Sequence, residues 1–401
     1  MLPRLKTLLL AAIFAAATAG PARADLLGDT LKPFASVTEM YDSNVFRVRD
    51  REQLKAQFGD DRLGDFITVA AVGTAVRYRV SRQEFNLHLQ RDFIRFGHYS
   101  DQDVDRDEGN GALSLSLFDA VRIRLDGAYV NSPEPRTDYR SAGVNKRRNM
   151  EGGVSAGYEM TSGVGFEAVY RRLTVDYSLP QYRTSEHAID RYAGTVSYRL
   201  SPEARLYATY QRDETEYTEA LTIGPTSVNK SNSADFFRIG LDKTFSPKTA
   251  VSCSLGYLNR RYGASSARDF SGMVGKAAIT YGVTEKLGFM LNGERQLYEE
   301  TYAERIYSVN DSVGARFVYR ISEKVRGTVF DRLSWKDFRD VPGSGVARRS
   351  DFTQEVNAGI EWDPVTRLTV SAGYQYAKRS SDDPTFDYSD HTLMTGVAYR
   401  Y

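Results

Sequence analysis

Residues 192–210 read YAGTVSYRLSPEARLYATY. Tyr192, Gly194, Val196, Tyr198 and Leu200 fall on one side of an alternating run, with Arg191, Thr195, Ser197 and Arg199 on the other. A period of two signals a strand, because successive side chains point to opposite faces of a sheet. Ser201-Pro202-Glu203 then turns the chain, proline presetting the backbone angle, and a second alternating run follows. The unit is a β-hairpin, and from Leu31 onward the chain repeats it.

Short turns are predicted at 81–83, 118–120, 161–163, 201–203, 246–248, 282–285, 321–323 and 363–365. Between them lie longer segments rich in Asp, Glu, Ser, Gly and Pro: 42–64, 99–109, 131–148, 178–187, 218–232, 263–269, 299–304, 339–350 and 380–389. Eight turns and nine loops join eighteen strands, with sixteen as the lower bound. An even strand number, short turns at one end and long loops at the other describe an all-β, antiparallel, transmembrane barrel of the bacterial outer membrane. A soluble propeller also has many short strands, but its period is four strands rather than two.

Composition agrees with this. Of 401 residues, 41% are hydrophobic and 12% aromatic, including 26 Tyr. Mean hydropathy is −0.46, and no apolar span of about 20 residues exists for a membrane helix. Lys and Arg number 53 against 52 Asp and Glu, so no charge excess points to nucleic acid. A single cysteine, Cys253, leaves no disulfide framework, thiolate metal cluster or haem attachment. Arg4 and Lys6 precede an apolar run from Leu8 to Ala17 and an Ala22-Arg23-Ala24 site. This is the pattern of a signal peptide over 1–24, leaving 25–401 as one barrel domain.

Two further patterns orient the strands. Tyr78, Tyr158, Tyr198, Phe245, Tyr281, Tyr319 and Trp362 stand just before short turns and share parity with the apolar residues of their strands. Aromatics at one height form the girdle of a membrane interface. At the C-terminus, Leu393, Thr395, Val397, Tyr399 and Tyr401 alternate to a terminal aromatic. Tyr399 and Tyr401 thus resemble the signal by which barrel assembly machinery recognises its clients.

The opposite parity faces the lumen. It holds Arg77, Arg122, Arg124, Arg171, Arg199, Arg205, Arg238, Arg316, Arg326 and Arg367, with Gln90 and Gln211 among the hydrogen-bonding residues. Eighteen strands leave room for an aqueous channel, and guanidinium groups pair bidentately with carboxylate, sulfate or phosphate. The same arginines could instead pair across strands with wall carboxylates and hold the wall in shape. Enzymatic chemistry finds no footing. Ser389, Asp390 and His391 are consecutive, and neighbours on a strand point to opposite faces, which prevents a triad. The acidic stretch Asp101, Asp103, Asp105, Asp107 and Glu108 has donors that a calcium ion takes, and equally the composition of a solvated loop. No cofactor and no metal site is expected.

Residues 31–48 read LKPFASVTEMYDSNVFRV, a first strand that ends in Tyr41 followed by a short motif. The Asp42-Ser43-Asn44-Val45-Phe46-Arg47 segment resembles the entry motif of outer-membrane β-barrel porins linked to exopolysaccharide export, the EpsL-like group. That resemblance implies a passive channel for polymer delivered by periplasmic polysaccharide export proteins. It carries over no binding residues. Asp42, Asn44, Phe46 and Arg47 could turn loop 42–64 inward as a constriction, with a short helix from Gln53 to Phe58, or form an ordinary rim turn. Export of an exopolysaccharide is therefore expected, the alternatives being a general or anion-preferring uptake porin and a structural or adhesive barrel.

Overall fold

The structure, a computed structural model, describes residues 30–118, 120–137, 141–223, 226–263, 269–300, 305–340 and 348–401. The signal peptide expected over 1–24 lies outside them. In the first half of the chain, strands β1 (Leu31–Asp42), β2 (Asp65–Val80), β3 (Gln83–Phe96), β4 (Val104–Leu117), β5 (Val121–Pro133), β6 (Lys146–Glu159), β7 (Val164–Tyr177), β8 (His187–Ser201) and β9 (Ala204–Tyr217) follow one another around the wall. A small hairpin, β10 (Leu221–Ile223) and β11 (Thr226–Val228), decorates the next loop. The wall resumes with β12 (Asn232–Ser246), β13 (Thr249–Tyr262), β14 (Phe270–Gly282), β15 (Leu287–Glu299), β16 (Arg305–Arg320), β17 (Val325–Asp340), β18 (Ser350–Val365), β19 (Leu368–Ser381) and β20 (Tyr388–Arg400).

All eighteen wall strands pair antiparallel in one sheet, and β1 pairs with both β2 and β20, which closes it. Closure is what a sheet needs in hydrocarbon, where an unpaired backbone edge has no water to bond. The expected strand count, hairpin repeat and division into short turns and long loops all match. Several boundaries shift by one to a few residues, the loop expected at 131–148 narrowing to 134–145, and two further shifts have a plain cause. The last short turn lies at 366–367 rather than 363–365, because β18 runs on to Val365. The loop expected at 99–109 ends at Asp103, because β4 begins at Val104.

Register assigns the two faces. Tyr41 opposes Phe66 and Leu393, Val196 opposes Phe166 and Ala208, and Phe317 opposes Phe289 and Val329. These outward residues form an exposed apolar band, and the seven girdle aromatics are all among its exposed members. Phe118 sits in a turn at positive φ and is 85% exposed, so it serves the turn rather than the girdle.

The strands run 12–16 residues, more than the 9–11 or so that a bilayer crossing needs. Their outer ends explain the surplus. Tyr170 and Tyr210, on the lipid side, donate hydroxyl bonds to Asp190 and Asp235 at 2.8 and 2.7 Å. Above that level the outward residues are ion pairs, Arg172–Asp190, Arg212–Asp235 and Arg91–Asp105 among them. Charge begins where hydrocarbon stops. Asp105, Asp107 and Glu108 belong to this strand region, each facing an arginine, and not to a solvated acidic loop.

The face assignment has a direct test. Val196→Arg places charge on the lipid face and should lower folding free energy in lipid vesicles by about 2–4 kcal/mol. Thr195→Arg, one residue earlier and on the lumen side, should change it by less than about 1 kcal/mol. Urea titration read by tryptophan fluorescence separates the two.

Candidate functional site

The lumen wall contains two kinds of arginine. Most are held by carboxylates: Arg77 by Glu84 at 3.3 Å, Arg124 by Asp126 at 3.2 Å, and Arg171 by Asp126 at 3.1 Å and Glu151 at 2.5 Å. Arg205 lies 3.8 Å from Asp242, while Arg199 pairs with Glu159 and Arg326 with Glu361. Gln90 and Gln211 donate to Asp92 and Asp213 at 2.7 and 2.9 Å. Among the described residues Arg122, Arg238, Arg316 and, beside a cavity of the wall, Arg332 have no carboxylate partner. Arg238 and Arg316 instead lie over the rings of Phe236 and Phe330, at 5.2 and 5.4 Å.

Arg367 is not on the wall. It occupies the β18–β19 turn at φ +76°, with its guanidinium 4.0 Å above the Tyr401 ring. Alternation alone placed it in the lumen, but the alternation lapses inside a turn. Tyr399 opposes Leu368 and Ala35, and the Tyr401 amide bonds to the Pro33 carbonyl at 2.9 Å, so both sit at the closure of the barrel.

The motif at the end of β1 builds the outer rim. Asp42 holds Arg47 through both oxygens at 2.8 and 2.9 Å, and Arg47 reaches Asp390 of β20 at 3.2 Å. Asn44 donates to the carbonyls of Val48 and Ser389 at 2.7 and 3.0 Å. Burial opposes the Arg47 charge, but the two aspartates outweigh it and raise the guanidinium's pKa. This knot sets the course of loop 43–64. Helix α1 (Arg51–Phe58) follows, capped by Asp50, which accepts the Gln53 amide at 2.8 Å, and ended by Gly59 at φ +77°. Leu54 and Phe46 then pack with Val45, Val48 and Tyr99. The short helix expected from Gln53 to Phe58 is present.

A second loop crosses the mouth. Arg136 lies 4.9 Å above the Phe46 ring and bonds Gln102, and the Thr137 carbonyl accepts from Arg379 of β19 at 3.1 Å. Strand β19 is six strands from β5 around the wall, so this loop spans the opening.

The third obstruction is a piece of the wall itself. Strands β14 and β15 pair only from Gly275/Arg295 down to Gly282/Gly288. Above that point β15 stays with β16, and the pair leans into the lumen. Residues 305–310 are buried on both faces. Ile306, Tyr307 and Val309 pack on Tyr262, with Phe270 and Leu297 beside them. Glu299 reaches the lumen face of the neighbouring wall, accepting the Tyr217 hydroxyl of β9 at 2.8 Å and pairing with Arg260 of β13. Glu300 behind it holds Lys336 at 2.9 Å.

Sequence reading missed this element. The available signal was Ile306-Tyr307-Ser308-Val309, where apolar residues occupy both parities. Such a run fits a strand covered on both sides.

Lys230 completes the contact. Its ammonium lies 4.7 Å over the Tyr217 ring, with no hydrogen-bond partner among the described residues. Burial pushes its pKa down to about 8, against the upward pull of Glu299 and Glu300.

The family model described as "Putative beta-barrel porin 2" matches residues 28–401. The chain belongs to this porin family. It is accordingly a porin-like channel of the bacterial outer membrane, and porins are not enzymes. No curated protein matches the sequence significantly. Among solved structures, OccK2 (OpdF) and OccK9 (OpdG) of Pseudomonas aeruginosa are similar in fold, at 10% and 9% identity with TM-scores of 0.51 and 0.50. Each comparison covers 92% of this chain and 98% of the other. The Pseudomonas aeruginosa outer membrane protein OpdK is also similar, at 11% identity and a TM-score of 0.49, with 92% and 99% covered. The porin description carries no link to exopolysaccharide export, so the EpsL-like resemblance holds at the level of the barrel porin.

Two outcomes test the in-leaning hairpin. Arg260→Met leaves Glu299 buried without its guanidinium, and breaking a buried pair this way costs about 3–5 kcal/mol. Amide exchange over 305–310 should accelerate accordingly, and the double variant Arg260→Met/Glu299→Leu should recover part of the protection. An ordinary lysine titrates near 10.4, so from about pH 8 to that value the undocked Lys230 binds more protons than the docked one. Docking of its loop should therefore strengthen as pH rises through that window. Lys230→Met should abolish the dependence, as read by exchange at residues 229–234.

Proposed function

We propose that the protein is a passive uptake channel for small polar solutes, with a preference for anions. The observation that carries this reading is the set Arg122, Arg238 and Arg316. On a wall where most arginines are neutralised by carboxylates, these three keep their charge available to a solute. A guanidinium without a carboxylate partner attracts anions and offers them two parallel hydrogen bonds. The paired arginines contribute little net field and maintain the shape of the wall.

The mouth favours small solutes over a polymer. Residues 134–137 reach across the opening to Arg379 and the described part of the β15–β16 hairpin leans into it, whereas a sliding polysaccharide needs a continuous bore. Export of an exopolysaccharide therefore draws no support from the site residues.

Reversal potential in a KCl gradient across a planar bilayer tests the reading. The wild-type channel should favour chloride, and Arg122→Glu/Arg238→Glu/Arg316→Glu should move the reversal potential to the cation side. Extracellular polysaccharide in an in-frame deletion strain should be unchanged. Cation preference in the wild type, or polymer trapped in the periplasm of the deletion strain, would overturn the proposal.

A further inference from the structure

Among the described residues two cross-strand pairs of opposite charges on the lumen wall stay open, Lys276 with Glu294 and Arg332 with Glu355, and the second lines a cavity. Arg332 on β17 and Glu355 on β18 are direct register partners and share the lumen face. Lower on the same strands, Arg326 and Glu361 stand in the same relation and do form an ion pair. Arg332 instead points toward the Ser312 hydroxyl at 3.5 Å and also bonds the Tyr298 hydroxyl, both neutral groups. Among the described residues Glu355 has neither an ion-pair nor a hydrogen-bond partner.

Both groups line a cavity of about 340 Å³ between the in-leaning hairpin and the β17–β19 wall, with Asn310, Ser334, Thr353 and Thr137 also at its surface. The other charges there are already engaged. Lys336 is held by Glu300 at 2.9 Å, and Asp351 by Arg349 at 2.8 Å with Arg379 at 3.8 Å. The cavity therefore presents one available cation, one available carboxylate, and hydroxyl and amide groups between them.

We propose that this cavity is a binding site for zwitterions of the α-amino acid class, on the uptake-channel reading above. The solute carboxylate pairs with the Arg332 guanidinium, whose planar fork matches two oxygens. The solute ammonium, with three donors and no acceptor, pairs with Glu355. A monoanion satisfies Arg332 and leaves Glu355 facing it, a like-charge contact that costs affinity. A monocation meets the reverse problem. Only a solute with both charges completes the Arg332–Glu355 pair. The volume, at the small end of ligand cavities, suits a compact solute.

The test uses the full chain in liposomes, with swelling rates for serine, lactate and ethanolamine, which are close in size and differ in charge. Serine should enter fastest. Arg332→Gln should slow serine and lactate, and Glu355→Gln should slow serine and ethanolamine but not lactate, each by about tenfold for a lost charge-assisted pair. The exchange Arg332→Glu/Glu355→Arg should restore serine entry toward the wild-type rate. Heat-modifiable gel mobility verifies that each variant is a folded barrel. Equal rates for the three solutes, or serine entry indifferent to Glu355→Gln, would overturn this inference while lactate entry still upheld the channel. If none of the three enters through folded wild-type protein, the channel reading fails with it.

Discussion

In hydrocarbon a backbone amide has no partner but another backbone group, and everything else in this protein is arranged around that constraint. It forces the sheet to close, and closure places the first strand beside the last. The Asp42–Arg47–Asp390 knot sits at this junction, tying the end of β1 to β20 just where the chain leaves the membrane. The pairing rule relaxes above the bilayer. There β14 and β15 part, and the freed hairpin is covered by side chains of its own neighbours.

Charge placement follows the same boundary. On the lipid face, tyrosine hydroxyls bonded to Asp190 and Asp235 mark the upper limit of the apolar band, and ion pairs begin beyond them. On the lumen face charge is allowed at every height, and pairing decides what it does. Arg77, Arg171 and their carboxylates hold strands in register. Arg122, Arg238 and Arg316 are left to act on whatever enters.

The wall was legible in the sequence because alternation is enforced residue by residue. A strand with lipid on one side and water on the other cannot shift register without exposing its whole apolar set to water. Val196 and Thr195 are thus separable by parity alone, and so are Arg124 and Leu125. The site was legible only in part. Parity shows that Arg332 and Arg326 face inward, but not that one is paired and the other open, since that depends on what stands across the lumen. The leaning hairpin was invisible for the same reason. Glu299 shares its parity with lipid-facing Leu291, and its contacts with Tyr217 and Arg260 lie 82 and 39 residues away in sequence. Arg367 shows the opposite failure, a periodic rule carried one residue too far into a turn.

The parting of β14 and β15 gives the barrel two different cross-sections. Near the periplasm it is a ring, whose circumference is set by eighteen strands and their tilt. At the mouth it is a scroll, in which one edge slides behind the other. A ring can change its bore only by gaining or losing strands, which takes whole hairpins. A scroll changes its bore by the depth of its overlap, which depends on a few side chains such as Leu297, Glu299 and Tyr307. Aperture and strand number are uncoupled in such a wall, so barrels of the same eighteen strands can differ in bore through substitutions at one seam.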